Sequence, residues 1–433
     1  MKEGSLLFFV LIILGVFAKL QAQELPKLTI RADSVDTLRI NPDQLPGDYE
    51  SELFDSVKLI FLETVPESEF KDIDRLFITN EHYIIYEART LKIFVFKKNG
   101  SFQSSISLSK QIGLRSGIFF NLYLDKVRGF ICVMDPVQKK IFSFDYQGKL
   151  LDGSVGLELE RLNFIDRLQV DGFFFDFSYY RSFEDLRYFP WLLRTDFQNK
   201  KDSIEMFQDF NADYSINDIN STLRVFSETK DGRTFLTHCY DFGIYEINPD
   251  GSLNKRMEIV LPANHVVPKD FLVNQLYNGK RNSYVLKHNG LVTHIKYCYS
   301  YKDHWIIGLF NNSTIYFNQC TSELINLSQV KAIDINESYH KIHGMEENAL
   351  LTEVSFTSLM FNKELQDRYK KTQIEIAKLD EKYGKGKGLE SYWKYLSAMA
   401  KMPAKINSER LLEIQKMKFH NPILRISYLK ERK

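Results

Sequence analysis

A chain of 433 residues has room for two or three ordinary domains or for one large closed array of repeats. Its 57 Lys and Arg balance 56 Asp and Glu, which excludes the global basic field that would draw in nucleic acid. With 34 Phe and 23 Tyr against 11 Pro and 21 Gly, the composition favours pleated, half-buried strands and leaves no long linker or low-complexity tract.

The N-terminus reads as an export signal. Lys2 precedes a thirteen-residue run from Leu6 to Ala18, too short to span a bilayer but suited to a signal-peptide core. Ala22 is a small residue at a plausible cut, so residues 1–22 are expected to be a signal peptide and the mature chain to begin at Gln23. The competing reading is an uncleaved anchor. No Cys lies near the cut, so the lipid-anchored form of signal is absent. The expected location is periplasmic or extracellular, with no transmembrane span in the mature chain.

Residues 28–30 and 37–40 read as short edge strands, and Val57-Lys58-Leu59-Ile60-Phe61-Leu62 as a firmer one. A repeat follows. Ile93-Phe94-Val95-Phe96 runs into Lys97-Lys98-Asn99-Gly100, and weaker copies begin at Ile141, Leu192, Ile244 and Ile315. The spacings of 48, 51, 52 and 71 residues describe a unit of about 50 residues, a β-rich run closed by a turn, which is the signature of propeller blades. Within each copy a second strand precedes the quoted one, as Tyr83-Ile84-Ile85-Tyr86 does in the first. Asn99-Gly100 supplies the positive φ of a tight hairpin. The fifth copy is longer, with its excess around residues 262–281. A sixth unit begins at Ala349-Leu350-Leu351-Thr352-Glu353-Val354, and the blades are expected to occupy residues 23–362.

From 363 to 418 the period changes from two to 3.6. Leu365, Tyr369, Ile376, Leu379 and Tyr383 fall on one helical face, as do Leu389, Tyr392, Trp393 and Leu396. This expected helical insertion holds 14 Lys/Arg against 8 Asp/Glu. Residues 419–433 return to alternation, through Ile423-Leu424-Arg425-Ile426-Ser427-Tyr428-Leu429. A ring of blades leaves an unpaired sheet edge unless its two ends share a blade. The strand over 57–62 and this last strand are therefore expected to pair. The fold class is all-β, a six-bladed propeller with a helical insertion in its last blade.

These residues resemble the bacterial exported six-bladed β-propeller proteins, distantly like NHL-repeat propellers. The similarity is carried by Leu59-Ile60-Phe61-Leu62-Glu63-Thr64, by Ile93 to Phe102, by Ile141 to Gly148, and by Asn421-Pro422-Ile423-Leu424 after a helical segment. Such proteins often have a Gly-Pro-Gly-Glu-Tyr-like loop after the first blade; here the region reads Ile112-Gly113-Leu114-Arg115-Ser116-Gly117. The resemblance implies a fold and no particular reaction.

Chemistry is sparse in the sequence. Cys132 and Cys239 sit in apolar strand patterns of different repeats, and Cys298 and Cys320 are two strand spacings apart, so buried free thiols outweigh a disulfide. His340 and His343 have an HxxH spacing without a third ligand, so no metal site is expected. Gly384-Lys385-Gly386-Lys387-Gly388 follows a helix and lacks nucleotide-loop spacing. No catalytic residue and no cofactor are assigned. If the Gly turns join third to fourth strands, the second-to-third links lie on the opposite face at the channel mouth. Those links carry the candidate binding residues Arg89, Asp135, Tyr179, Tyr180, Arg181 and Asp241. Aromatic planes beside Arg and Asp suit a carbohydrate or peptide ligand; solvated loop tips without a ligand are the plainer alternative. The leading expectation is a non-enzymatic exported propeller that binds a ligand or protein partner through this loop face. A glycan- or peptide-directed hydrolase or lyase using Asp135 and Asp241 is the second reading. A scaffold subunit meeting an envelope protein through the basic helical insertion is the third.

Overall fold

A computed structural model describes residues 30–355 and 421–431, apart from 49, 116–119, 136, 139, 152–154, 157–163, 182–186, 197–200, 206–209, 212–223, 230–232, 289, 331–338 and 340. The expected signal peptide (1–22) and helical insertion (363–418) lie outside the described residues.

The described chain forms six sheets, each with an antiparallel four-stranded core, and in five of them that core runs through consecutive strands in sequence order. Blade one comprises Arg75–Ile78, His82–Glu87, Lys92–Lys97 and Phe102–Ser107. Blade two comprises Asn121–Asp125, Phe130–Asp135, Lys140–Phe144 and Val155–Gly156. Blade three comprises Phe164–Val170, Phe173–Arg181, Arg187–Asp196 and Lys201–Glu205. Blade four comprises Phe226–Glu228, Thr234–Leu236, Gly243–Ile247 and Leu253–Val260. Blade five comprises Ile295–Tyr301, His304–Leu309, Thr314–Asn318 and Glu323–Asn326.

Blade six is assembled from both ends of the chain. Ile342–Glu346 and Ala349–Val354 are followed in the sheet by Ile423–Leu429, and Phe54–Phe61 forms its outer strand. The register runs from Ile423 opposite Phe61 to Leu429 opposite Phe54. This pairing gives the sixth sheet its fourth strand from the start of the chain, and the fold is a six-bladed β-propeller.

The repeated sequence pattern follows from this geometry. Side chains alternate across a strand, and a blade has a neighbour on each face, so both alternating sets are buried. In blade one Ile85, Phe94 and Phe96 pack with Ile60, Leu351 and Leu424 of blade six. Their alternates Ile84, Ile93 and Val95 pack with Leu122, Ile131 and Val133 of blade two. That is why Ile93 to Phe96 is apolar without interruption. Five further clusters include one between each other adjacent pair of blades and one under the connection from blade four to blade five.

The turns between third and fourth strands of blades one, two and four share one hydrogen-bond pattern. In blade one Gly100 N donates to Lys97 O (2.8 Å) and Lys97 N to Ser101 O (2.9 Å); Gly148 with Asp145 and Gly251 with Asn248 repeat it in blades two and four. The glycines have φ of +89°, +81° and +77°, so each turn ends on a left-handed residue, a three-residue hairpin with a glycine bulge rather than a two-residue turn.

The N-terminal segment straps the outside of the ring. Ile30–Arg31 and Asp36–Arg39 pair parallel to the outer strand of blade four. The chain then passes blade five, where Asn326 N donates to Pro46 O (2.9 Å), and enters blade six. The excess length between blades four and five is a compact excursion containing the 3-10 turns Ala263–His265 and Gln275–Tyr277 and the helix Arg281–Lys287. Its Arg281 is fully buried and donates to the carbonyls of Phe271 (2.9 Å) and Leu272 (3.1 Å).

Candidate functional site

The first strand of each blade faces the propeller axis, and among these strands lies a cavity of about 280 Å³. Its described lining comes from blades one, two, three, four and six. None of the described lining comes from blade five, and Thr229 of blade four forms a parallel bridge with Met345 of blade six. The cavity extends from Arg75, Arg224 and His343, toward the starts of the first strands, to Thr79, Asn80, Lys126 and Glu228 at their ends. Asn80 and Lys126 are exposed, so this end meets solvent.

Asp166 organises the inner end. It is fully buried, and its four acceptor positions are filled. Oδ1 accepts from Arg75 Nη2 (3.0 Å) and Arg167 N (3.1 Å). Oδ2 accepts from Val225 N (3.1 Å) and Phe226 N (3.2 Å). Three of the four donors are backbone amides, so Arg75 supplies one N–H and keeps the rest of its guanidinium for the cavity. The Arg75 guanidinium also lies over the Phe77 ring at 4.7 Å. Burial pulls Arg75 below its ordinary value; Asp166 opposes this and the nearby Arg224 adds to it. Arg224 itself donates to the Tyr299 hydroxyl (2.8 Å), which donates onward to His343 O (3.2 Å).

Between the two ends the walls mix polar surface with the apolar side chains of Phe77, Ile78 and Leu168, while Leu124 and Phe226 turn most of their surface into the cores between blades. At the exposed end Lys126 of blade two is ion-paired with Glu228 of blade four, across blade three. Lys98 and Glu346 form a second pair (2.6 Å) between blades one and six. The site is thus a channel segment with a buried cationic end, walls of mixed polar and apolar surface, and an ion-paired rim.

Comparison with known proteins fixes the relationship. The profile of the DUF5128 family, a 6-bladed beta-propeller, matches residues 40–346. The chain belongs to this family. Among solved structures, a Bacteroides fragilis NCTC 9343 protein inferred to be exported is 15% identical, with a TM-score of 0.56, over 92% of this chain and 100% of that one. A member of the DUF4221 family from Bacteroides vulgatus is 12% identical at a TM-score of 0.38, over 63% and 85%. A virginiamycin B lyase from Staphylococcus aureus is 10% identical at 0.32, over 62% and 72%. The last two scores add nothing to the assignment. A search of curated proteins found no match.

In this DUF5128 propeller the six candidates from the sequence are dispersed. Arg89 lies in the second-to-third link of blade one, with its side chain 57% exposed and 3.5 Å from Glu87. Asp135 ends the second strand of blade two and is buried. Its Oδ1 accepts from Val137 N (2.8 Å) and Gln138 N (3.0 Å), and its Oδ2 from Gln138 Nε2 (2.8 Å). Asp241 accepts from Gly243 N (3.0 Å) and the Tyr245 hydroxyl (2.8 Å), and lies 2.9 Å from His238 Nε2. Burial would raise the Asp241 carboxyl, but His238, Gly243 and Tyr245 together hold it down at about 2. Both carboxylates are thus committed to their own turns.

Tyr179, Tyr180 and Arg181 require a correction. They are strand residues, not link residues, because the backbone pairs Tyr179 with Pro190, Tyr180 with Phe189 and Arg181 with Tyr188. The long aromatic run of nine residues continues in the sheet because its partner Arg187–Asp196, of ten residues, is long enough to pair with all of it. The described cavity opens instead among the first-to-second turns, on the side of the glycine turns, from which Tyr146 joins its lining. Of the HxxH pair, His343 lines the cavity and lies 3.2 Å from Glu353, while His340 is outside the described residues. Among the described residues no group of three or more His, Cys, Asp or Glu is arranged to hold a metal ion. All four cysteines are free, three of them buried.

The sequence reading missed Arg75, Arg224, Lys126 and Glu228. One signal was available: Arg75 and Asp166-Arg167 are charged residues set into apolar first strands, where solvated faces are not expected.

Proposed function

We propose that this DUF5128 propeller is an exported, non-catalytic binding protein whose ligand occupies the central cavity. The observation that carries this reading is the partly committed guanidinium of Arg75, held by a saturated Asp166 at the inner end of a cavity whose walls mix polar and apolar surface. A concave site in which a few fixed polar groups meet apolar surface is the usual form of a small-molecule site. Export is supported by Lys2 with the apolar run after it and by similarity to the Bacteroides fragilis protein inferred to be exported. Among the described residues no helix is long and apolar enough to cross a membrane. The hydrolase reading loses its support, since Asp135 and Asp241 are bonded within separate turns and neither lines the cavity.

A thermal-shift screen of small polar and amphipathic fragments tests the proposal, run in parallel on the wild type and on Asn80→Trp. Asn80 is an exposed lining residue, so the indole should narrow the entrance without disturbing a core. Stabilising fragments should lose their effect on the variant. Hits that stabilise both proteins equally would place the ligand elsewhere.

A further inference from the structure

The cavity also carries information about the class of its ligand. Asp166 would normally neutralise Arg75, but here three backbone amides share its charge. The Arg75 side chain is 17% exposed, and among the described residues its remaining N–H groups have no protein acceptor. A guanidinium removed from bulk water gains most from a planar anion that takes two parallel hydrogen bonds. Phe77, Leu124, Leu168 and Phe226 extend from this point toward the exposed end. Phe77 and Leu168, both partly exposed, offer apolar contact along part of the walls. A dianion is disfavoured, because the Asp166 carboxylate is fixed 3.0 Å from Arg75. The volume, about 280 Å³, is at the small end for ligand sites.

We infer that the cavity takes a small monocarboxylate with a partly apolar body, its carboxylate against Arg75 and its body along Phe77 and Leu168. This rests on the reading of the cavity as the binding site and narrows it. A carboxylate anchored at the inner end would place the distal part of the ligand near Asn80 and the Lys126–Glu228 pair. The rim then governs access, and the guanidinium governs selection.

The test uses three probes of one shape: 4-phenylbutyrate, 4-phenylbutan-1-ol and 4-phenylbutylamine. Each is titrated calorimetrically into protein purified from its export route, as wild type, Arg75→Gln and Lys126→Ala. The carboxylate should bind the wild type about tenfold or more tightly than the alcohol, the size of one charge-assisted hydrogen bond. The amine should bind no better than the alcohol. Arg75→Gln should abolish the preference for the carboxylate while changing alcohol binding by less than about threefold. Lys126→Ala should keep the preference. If Arg75→Gln does not fold because Asp166 loses its partner, the ranking of the three probes on the wild type and on Lys126→Ala still decides. Equal or tighter binding of the alcohol or the amine overturns the carboxylate assignment and leaves the cavity as a binding site. The assignment also falls if none of the three binds while the fragment screen yields hits sensitive to Asn80→Trp. If no probe binds and no hit depends on Asn80, both readings fall.

Discussion

The side-chain oxygen of Asn421 accepts the backbone N–H of Phe70 at 3.1 Å, across 351 positions of sequence. The same side chain donates to Glu63 O (3.0 Å), and Asn421 N donates to Thr64 Oγ1 (3.2 Å). One buried carboxamide thus ties the returning strand of blade six to the segment that leads from its outer strand into blade one. Replacing it should leave a buried amide and carbonyl without partners, which costs about 2 kcal/mol. Asn421→Ala should lower the urea midpoint, at unchanged slope, by that free energy divided by the slope, and Asn421→Asp, whose second carboxylate oxygen would face the Glu63 carbonyl, should lower it at least as much. Equal midpoints for wild type and Asn421→Ala would mean that the ring closes through the strand ladder alone.

Gly100 is needed twice over. Its φ is +89°, and a Cβ there would lie 2.2 Å from Phe61 O in the outer strand of blade six. Gly129 has a φ of +71° with nothing within 4 Å. Gly129→Ala should cost about 1–2 kcal/mol of backbone strain. Gly100→Ala should cost clearly more, because a backbone carbonyl must move with it. Comparing the two by thermal unfolding separates conformational strain from the clash between blades; similar losses would show that the neighbouring blade yields easily.

The N-terminal strap covers the outer edge of blade four and contributes Leu38 and Ile40 to the core between blades four and five. Ile40 is 1% exposed, so Ile40→Ala should cost about 2–4 kcal/mol. Removing residues 23–40 should also bare the Leu253–Val260 edge, and light scattering should then show concentration-dependent association. A monomeric protein of unchanged stability would mean that the strap is dispensable.

The parts of this fold legible in the sequence were those with a period. Ile93 to Phe96 announces a strand buried on both faces, and Gly100, Gly148 and Gly251 mark the same turn three times. Ile423 to Leu429 and the strand ending at Phe61 are paired, as edge avoidance requires of a closed ring. What stayed hidden depends on the ring itself. Arg75 and Asp166 are 91 positions apart and meet because blades one and three face the same axis. The parallel docking of Asp36–Arg39 on blade four could not be read from a short polar strand that carries no mark of its partner. Asp135 and Asp241 misled for a related reason. An aspartate that caps its own turn looks, in sequence, the same as one presented to a ligand.

Asp241 offers a test of that capping role through pH. Its carboxyl is held at about 2 in the folded protein against an ordinary value of 3.8. A depressed folded value means that the unfolded chain binds the proton more readily, so the stabilisation is complete above about pH 4 and is lost as pH falls toward 2. A shift of nearly two units corresponds to about 2 kcal/mol. The side chain is 14% exposed, so solvent screening removes little of this. Asp241→Asn keeps the shape but not the charge beside His238, so it should be about 2 kcal/mol less stable than the wild type at pH 6. The difference should shrink at pH 3 and nearly vanish at pH 2, as wild-type Asp241 itself becomes protonated. Urea unfolding of both proteins at the three pH values measures it. A difference that stays constant with pH would show that Asp241 holds its turn through hydrogen-bond geometry alone.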